Sequence, residues 1–231
     1  MRPSESLPSE TVQEKYNAIY ELLVEVYGMP EWKAHRPPVA QLVSTILSQQ
    51  TTGPNRERAY RQLRQRFPTW KDVIEAPLAE VQEAIRPAGL ASQKAPRIQA
   101  ALRTILHERG ELSLNFLAEM PVDEAKRWLR RLKGVGPKTA AIVLLFSLGM
   151  PAFPVDTHVH RVTRRLGLIG PQVSADKAHE QLEMIADPEA YYPFHINLIR
   201  HGREICRARA PQCAICPLQD HCDYYRLGPT R

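Results

Sequence analysis

Leu132-Lys133-Gly134-Val135-Gly136-Pro137-Lys138-Thr139-Ala140 sets two glycines on either side of one apolar residue. Before it, Val122 to Arg131 carries apolar residues at helical spacing; after it, Pro137 suits a first helical position and opens a strongly apolar run to Gly149. The pattern predicts two helices joined by a tight turn, over about residues 122–149. Glycine has no Cβ to hold another chain off, and the positive end of a helix favours an anion, so backbone amides at Gly134, Val135, Gly136 and Thr139 can meet a phosphate oxygen closely. Lys138 follows in the first turn, and Asp156 lies beyond the helix in Pro154-Val155-Asp156-Thr157-His158. Taken alone, they read as a surface lysine and a helix cap.

The same helical period continues in both directions, with no sustained alternation of β-branched residues, so the chain is expected to be all-α. Predicted helices run from after Ser9 to Gly28, Pro38 to Gln50, Pro54 to Arg66, Pro77 to Arg86, Ser92 (as a cap) to Gly110, Thr157 to Leu166, Ser174 to Ala186 and Pro188 to Ile205. Beyond Ile205, proline and polar residues predict irregular chain, while Trp32, Trp70 and Trp128 are expected in the core. No apolar run approaches the roughly 20 residues that span a bilayer. Residues 1–10 lack the apolar centre of a secretory leader, which places the protein in the cytoplasm.

All four cysteines, Cys206, Cys213, Cys216 and Cys222, fall in one short segment, which argues for a metal site over a disulfide framework. Their spacing, C-x6-C-x2-C-x5-C, can enclose a tetrahedral zinc or a [4Fe–4S] cluster; the wide outer intervals suit the larger group. Lys and Arg exceed Asp and Glu by 31 to 25, a net charge of +6 that favours a polyanionic partner. Arg161, Arg164 and Arg165, on successive turns of one helix, could line a nucleic-acid path or form a solvated face.

From Leu132 to Arg165 the chain resembles the helix-hairpin-helix plus Gly/Pro-Asp core of the DNA glycosylases. It is most similar to the endonuclease III family, whose pattern L-x-G-V-G-x-K-T-A is followed by V-D-T-H. The cysteine spacing resembles that family's cluster loop, and the likeness runs from about residue 15 to 225. It implies that Cys206, Cys213, Cys216 and Cys222 hold a [4Fe–4S] cluster, that Lys138 is the nucleophile and that Asp156 is the essential carboxylate. Lysine is normally protonated, so its use as a nucleophile requires the fold to favour the neutral amine. Arg207 and Arg209, between the first two cysteines, would face DNA phosphates or else remain solvated. Ser48-Gln49-Gln50-Thr51-Thr52 resembles the family's S-x-Q-x-T turn, which assigns Gln50 to the gap left by an extruded base. Gly89-Leu90, followed by Lys94-Ala95, resembles its wedge and assigns Leu90 to the opposite strand. Gly53 and Ala91 depart from the acidic and aromatic residues common in the family, and Lys133 and Pro137 from its commoner Pro and Arg.

The resemblance also implies two domains, a six-helix barrel over 31–150 and an iron–sulfur domain made of 1–30 plus 151–231, with DNA in the groove between them. The implied activity is that of a bifunctional glycosylase and abasic-site lyase, a monomer acting on double-stranded DNA with oxidised pyrimidines or abasic sites, and no membrane partner. Monofunctional mismatch or adenine glycosylases, and a non-catalytic DNA-binding or redox-sensing module, are the alternatives.

Overall fold

The computed structural model describes residues 11–228, and these contain twelve α-helices and no strand. In chain order they are α1 (Val12–Tyr27), α2 (Pro38–Ser48), α3 (Gly53–Arg66), α4 (Trp70–Glu75), α5 (Leu78–Ala84), α6 (Ala91–Arg109), α7 (Val122–Arg130), α8 (Pro137–Leu148), α9 (Thr157–Leu166), α10 (Ala175–Ile185), α11 (Tyr191–Glu204) and α12 (Asp223–Leu227). The all-α expectation therefore holds. No helix among the described residues is long and apolar enough to cross a membrane.

The chain divides into two compact units, Trp32–Pro154 and the remainder, Met1–Glu31 with Val155–Arg231. In the Trp32–Pro154 unit, α2 is buried from Pro38 through Leu47 and packs against α3, α6 and α8. α8 is apolar nearly all round, as a central helix must be, and its Val143 and Leu144 join Leu42, Val43, Ile46, Ile98 and Leu102 in one core. In the other unit α1, α9 and α10 surround α11 or one another, with Tyr16 set edge-on to Phe194 at 5.2 Å. Lys15, nearly buried, pairs with Asp223 at 2.6 Å and ties α1 to the start of α12.

Several boundaries differ from expectation for identifiable reasons. The predicted start of the first helix at Ser9 lies outside the described residues; α1 begins under a capping box in which Thr11 and Glu14 satisfy each other's amides. α2 stops at Ser48, not Gln50, because Gln49 is extended and Gln50 left-handed. α6 starts at Ala91 and Ser92 caps nothing; Leu90, itself left-handed at φ 50°, occupies the cap position. α4 was not predicted, although Thr69-x-x-Asp72 forms a capping box there. The cysteine segment is also more regular than expected, with 3-10 turns at Cys213–Ile215 and Gln219–His221 and then α12. Trp32 is not core: it is 42 % exposed, with its indole N–H donating to the Leu145 carbonyl at 2.7 Å. Trp70 and Trp128 are half-buried, Trp128 edge-on to Phe116.

Candidate functional site

The turn between α7 and α8 is held from outside. Gly134 takes φ +85°, its carbonyl accepts from Gln49 Nε2 at 3.2 Å, and Gln49 Oε1 accepts from Arg97 Nη1 at 3.3 Å. A Cβ on Gly134 would stand 2.7 Å from Arg97 Cδ, so glycine is needed there twice over, for backbone angle and for space. Gly136 differs. It is exposed and extended, and a Cβ on it would meet nothing within 4 Å. Val135 is buried and its N–H donates to the Leu132 carbonyl at 3.0 Å, so it anchors the turn and its amide is already used. No side chain caps α8, whose first internal bond runs from Ala140 N–H to Gly136 O. The first-turn amides of Lys138 and Thr139 thus stand at a positive helix end with no capping group. Lys138 itself is half-buried.

In the same unit, Gln50 and Leu90 are exposed and are its two non-glycine residues with positive φ, at 49° and 50°. The left-handed conformation costs an L-residue about 1–2 kcal/mol. Between their segments lies Lys94, 1 % exposed, whose Nζ donates to the Leu47 carbonyl at 2.9 Å and the Ala88 carbonyl at 2.7 Å. Burial pushes its ammonium below the ordinary lysine range.

In the other unit Asp156 caps α9. Its Oδ1 accepts from the N–H groups of His158 and Val159, each at 2.8 Å, which leaves Oδ2 out of the cap. Arg161 and Arg165 are half-buried and engage the cysteine segment rather than forming a fully solvated face. Arg161 donates to the carbonyls of Cys206 (3.0 Å) and Gly202 (2.7 Å), and its Nη2 lies 3.1 Å from His158 Nδ1. Arg165 donates to Cys206 Sγ (3.3 Å) and to the carbonyls of Arg207 (2.8 Å) and Ala208 (3.2 Å), its guanidinium stacked over Tyr224. Of the three arginines on α9, Arg164 alone is exposed. All four cysteines line one cavity with Arg165, His201 and Ile205. Burial pushes the Cys216 thiol up to about 11 and raises that of Cys222. Arg207 and Arg209 project exposed from the loop, followed by Ala210 at φ 47°.

Residues 43–188 match the family model of the HhH-GPD superfamily base excision DNA repair proteins, and residues 206–222 that of the iron-sulfur binding domain of endonuclease III. Endonuclease III of Thermotoga maritima is 33% identical over 189 residues, spanning 82% of this chain and 84% of the relative. The chain belongs to the endonuclease III family. Endonuclease III of Bacillus subtilis is 35% identical over 188 residues, 81% of this chain and 82% of the relative. An Arabidopsis thaliana relative is 39% identical over 165 residues, and the chain spans 56% of its length. Among solved structures, an endonuclease III trapped as a covalent intermediate on DNA superposes with TM-score 0.80 at 30% identity, covering 93% of this chain and 97% of that one. A thermostable thymine-DNA glycosylase shares the fold, with TM-score 0.76 at 21% identity.

The four cysteines fit the [4Fe–4S] cluster of the iron-sulfur binding domain that residues 206–222 match. No group of three His, Cys, Asp or Glu among the described residues is close enough to hold one metal ion, whereas the four thiols are spread around a shared cavity. Arg165 Nη1 donates to Cys206 Sγ at 3.3 Å, and His201 Nε2 lies 3.6 Å from Cys216 Sγ. Sequence reading missed the residues that hold this family's elements in place, namely Gln49 and Arg97 at the hairpin and Arg161 and Arg165 at the loop. None has a local pattern to reveal it, because each acts through a contact distant in sequence.

Proposed function

We propose that this DNA glycosylase and lyase removes oxidised pyrimidines such as thymine glycol from duplex DNA, with Lys138 as nucleophile and Asp156 as the essential carboxylate. Membership of the endonuclease III family makes the chain a DNA N-glycosylase and DNA-(apurinic or apyrimidinic site) lyase. The observation that carries the residue assignment is Lys138 in the uncapped first turn of α8, one residue beyond Pro137 and the bare Gly136. A phosphate taken by that helix end brings a sugar to the same turn as the amine.

The damaged base is first extruded, with Gln50 entering the gap and Leu90 pressing on the opposite strand. Lys138 Nζ attacks C1′ while the C1′–N bond to the base breaks and the electron pair leaves with the base. Asp156 Oδ2, outside the α9 cap, stabilises the positive charge that develops on the sugar. The nitrogen gives a proton to O4′ as the C1′–O4′ bond breaks, leaving a Schiff base; a C2′ proton then passes to water, the C3′–O bond breaks and its electron pair leaves with the 3′ phosphate, cutting the strand on that side. This chemistry needs the amine and the carboxylate at one sugar. Cys206, Cys213, Cys216 and Cys222 would hold the [4Fe–4S] cluster, which would brace the loop that presents Arg207 and Arg209 to phosphates. In this reading residues 31–150 form the barrel domain, residues 1–30 and 151–231 the cluster domain, and the protein works as a monomer on cytoplasmic, nucleoid DNA.

Borohydride trapping tests the assignment. Wild-type protein should be reduced onto a thymine-glycol duplex and onto an abasic duplex, and Lys138→Ala onto neither. A Lys138→Ala protein that still cross-links removes the lysine from the mechanism. Base release without nicking by the wild type would instead mark a monofunctional enzyme.

A further inference from the structure

We infer that Lys94 is a positioning residue that couples the two plugs, holding the segments of Gln50 and Leu90 in one register so that they enter the duplex together. The inference rests on the proposed roles of those two residues. The geometry is specific to the carbonyls involved. Leu47 lies at the C-terminal end of α2, where carbonyls lack helical partners; Ser48 Oγ donates to Thr45 O, Gln49 N–H to Ile46 O, and Lys94 Nζ to Leu47 O. Ala88 ends the 3-10 turn Arg86–Ala88, and the same Nζ donates to its carbonyl. One ammonium thereby closes two helical C-termini, where positive charge is favoured. Gln50 follows the first closed carbonyl by three residues and Leu90 the second by two, and they are the two non-glycine residues of this unit with positive φ.

An apolar side chain of similar length would fill the same space without desolvating a charge. Burial acts against the Lys94 ammonium, which pushes it below its ordinary range, so filling volume alone does not account for a lysine here. The hydrogen bonds do, since strained residues persist only where surrounding structure over-determines them.

The test uses duplexes with 2-aminopurine beside thymine glycol, whose fluorescence rises on extrusion, together with borohydride trapping on a single-stranded abasic oligonucleotide, which needs no extrusion. Lys94→Met should slow extrusion about 10- to 100-fold, the scale of a misplacement near 1 Å. Its single-strand trapping should stay within about twofold of wild type, because an unstacked sugar needs no plug. Lys94→Arg, which keeps donors for both carbonyls, should recover extrusion. Equal losses in both assays would make Lys94 a general folding residue and overturn the inference, as would a Lys94→Arg protein as slow as Lys94→Met. Gln50→Ala and Leu90→Ala separate the two levels: if both are slow while Lys94→Met extrudes normally, the coupling fails and the plugs stand; if neither is slow, the plug assignment itself fails.

Discussion

Replacing each hairpin glycine by alanine should separate what the turn needs for folding from what it needs for DNA. Gly136 has ordinary extended angles, φ −93° and ψ −178°, and open space where a Cβ would go. Gly136→Ala therefore strains no backbone angle and meets no atom; the loss of a favourable N-cap residue offsets the gain from a restricted unfolded chain, so stability should change by no more than about 1 kcal/mol. If Gly136 is bare because a phosphate comes against it, the added methyl pushes that phosphate away from the α8 amides. A hydrogen bond to a charged acceptor is worth about 1.5–3 kcal/mol, so Kd should rise about 10- to 100-fold. Gly134→Ala does the reverse. At φ +85° the new side chain costs about 1–2 kcal/mol. Its Cβ, 2.7 Å from Arg97 Cδ, also drives Arg97 off Gln49, for about another 0.5–1.5 kcal/mol. Melting should fall by about 4–12 °C. Thermal unfolding by circular dichroism measures the first quantity, and fluorescence anisotropy with a duplex bearing an uncleavable abasic analogue, over a salt series, measures the second. Because the α8 amides carry no formal charge, the log Kd against log salt slope should stay near that of wild type while Kd rises. A Gly136→Ala protein with wild-type affinity would refute the phosphate-binding role of the turn.

Two other parts of the molecule give sharp expectations. Arg165→Met removes the donor to Cys206 Sγ and both loop carbonyl contacts, so under chelator the visible absorbance of the cluster should decay faster than in wild type; an unchanged decay rate would show that the loop holds itself. Burial pushes Tyr16, Tyr27 and Tyr191 up to about 12, above the ordinary tyrosine value. Their folded forms keep the proton after the unfolded chain has lost it, so their stabilisation is complete below about pH 10 and is lost as pH rises towards 12. Urea midpoints should fall over that window, and less so in Tyr191→Phe; equal falls in the two proteins would count against this source of alkaline sensitivity.

The helices and the hairpin were legible because their determinants are local. A 3.6-residue apolar period, a proline at the first position of α8 and a glycine pair each act within a few residues. α4 escaped because six residues are too few to show a period, although its Thr69–Asp72 box was present. Trp32 was misplaced because the period counts it as apolar and ignores its indole N–H, which reaches Leu145 O at the surface. The residue identities of the candidate site came from the family resemblance; the means of holding them did not. Gln49 reaches Gly134 across 85 positions, Arg97 reaches Gln49 across 48, and Lys94 reaches Leu47 across 47. Such pairings leave no periodic trace. Arg161 and Arg165 looked like a basic face for the same reason, since nothing nearby in sequence reveals that their partners are the carbonyls and sulfur of the cysteine loop.

Backbone strain ties the two levels together. Among the described residues the non-glycine positions with positive φ are Gln50, Leu90 and Ala210, the last beside Arg209. A glycine at any of them would relieve about 1–2 kcal/mol. At Ala210 the small methyl is the only cost of avoiding a more flexible loop. At Gln50 and Leu90 glycine would also delete an exposed side chain. Retaining a large exposed side chain at a strained position makes sense if its contacts lie in a partner that opens to receive it. A stacked duplex opened at one base pair has that character, which is why the strain at Leu90 supports the extrusion role independently of the residue's likeness to the family wedge.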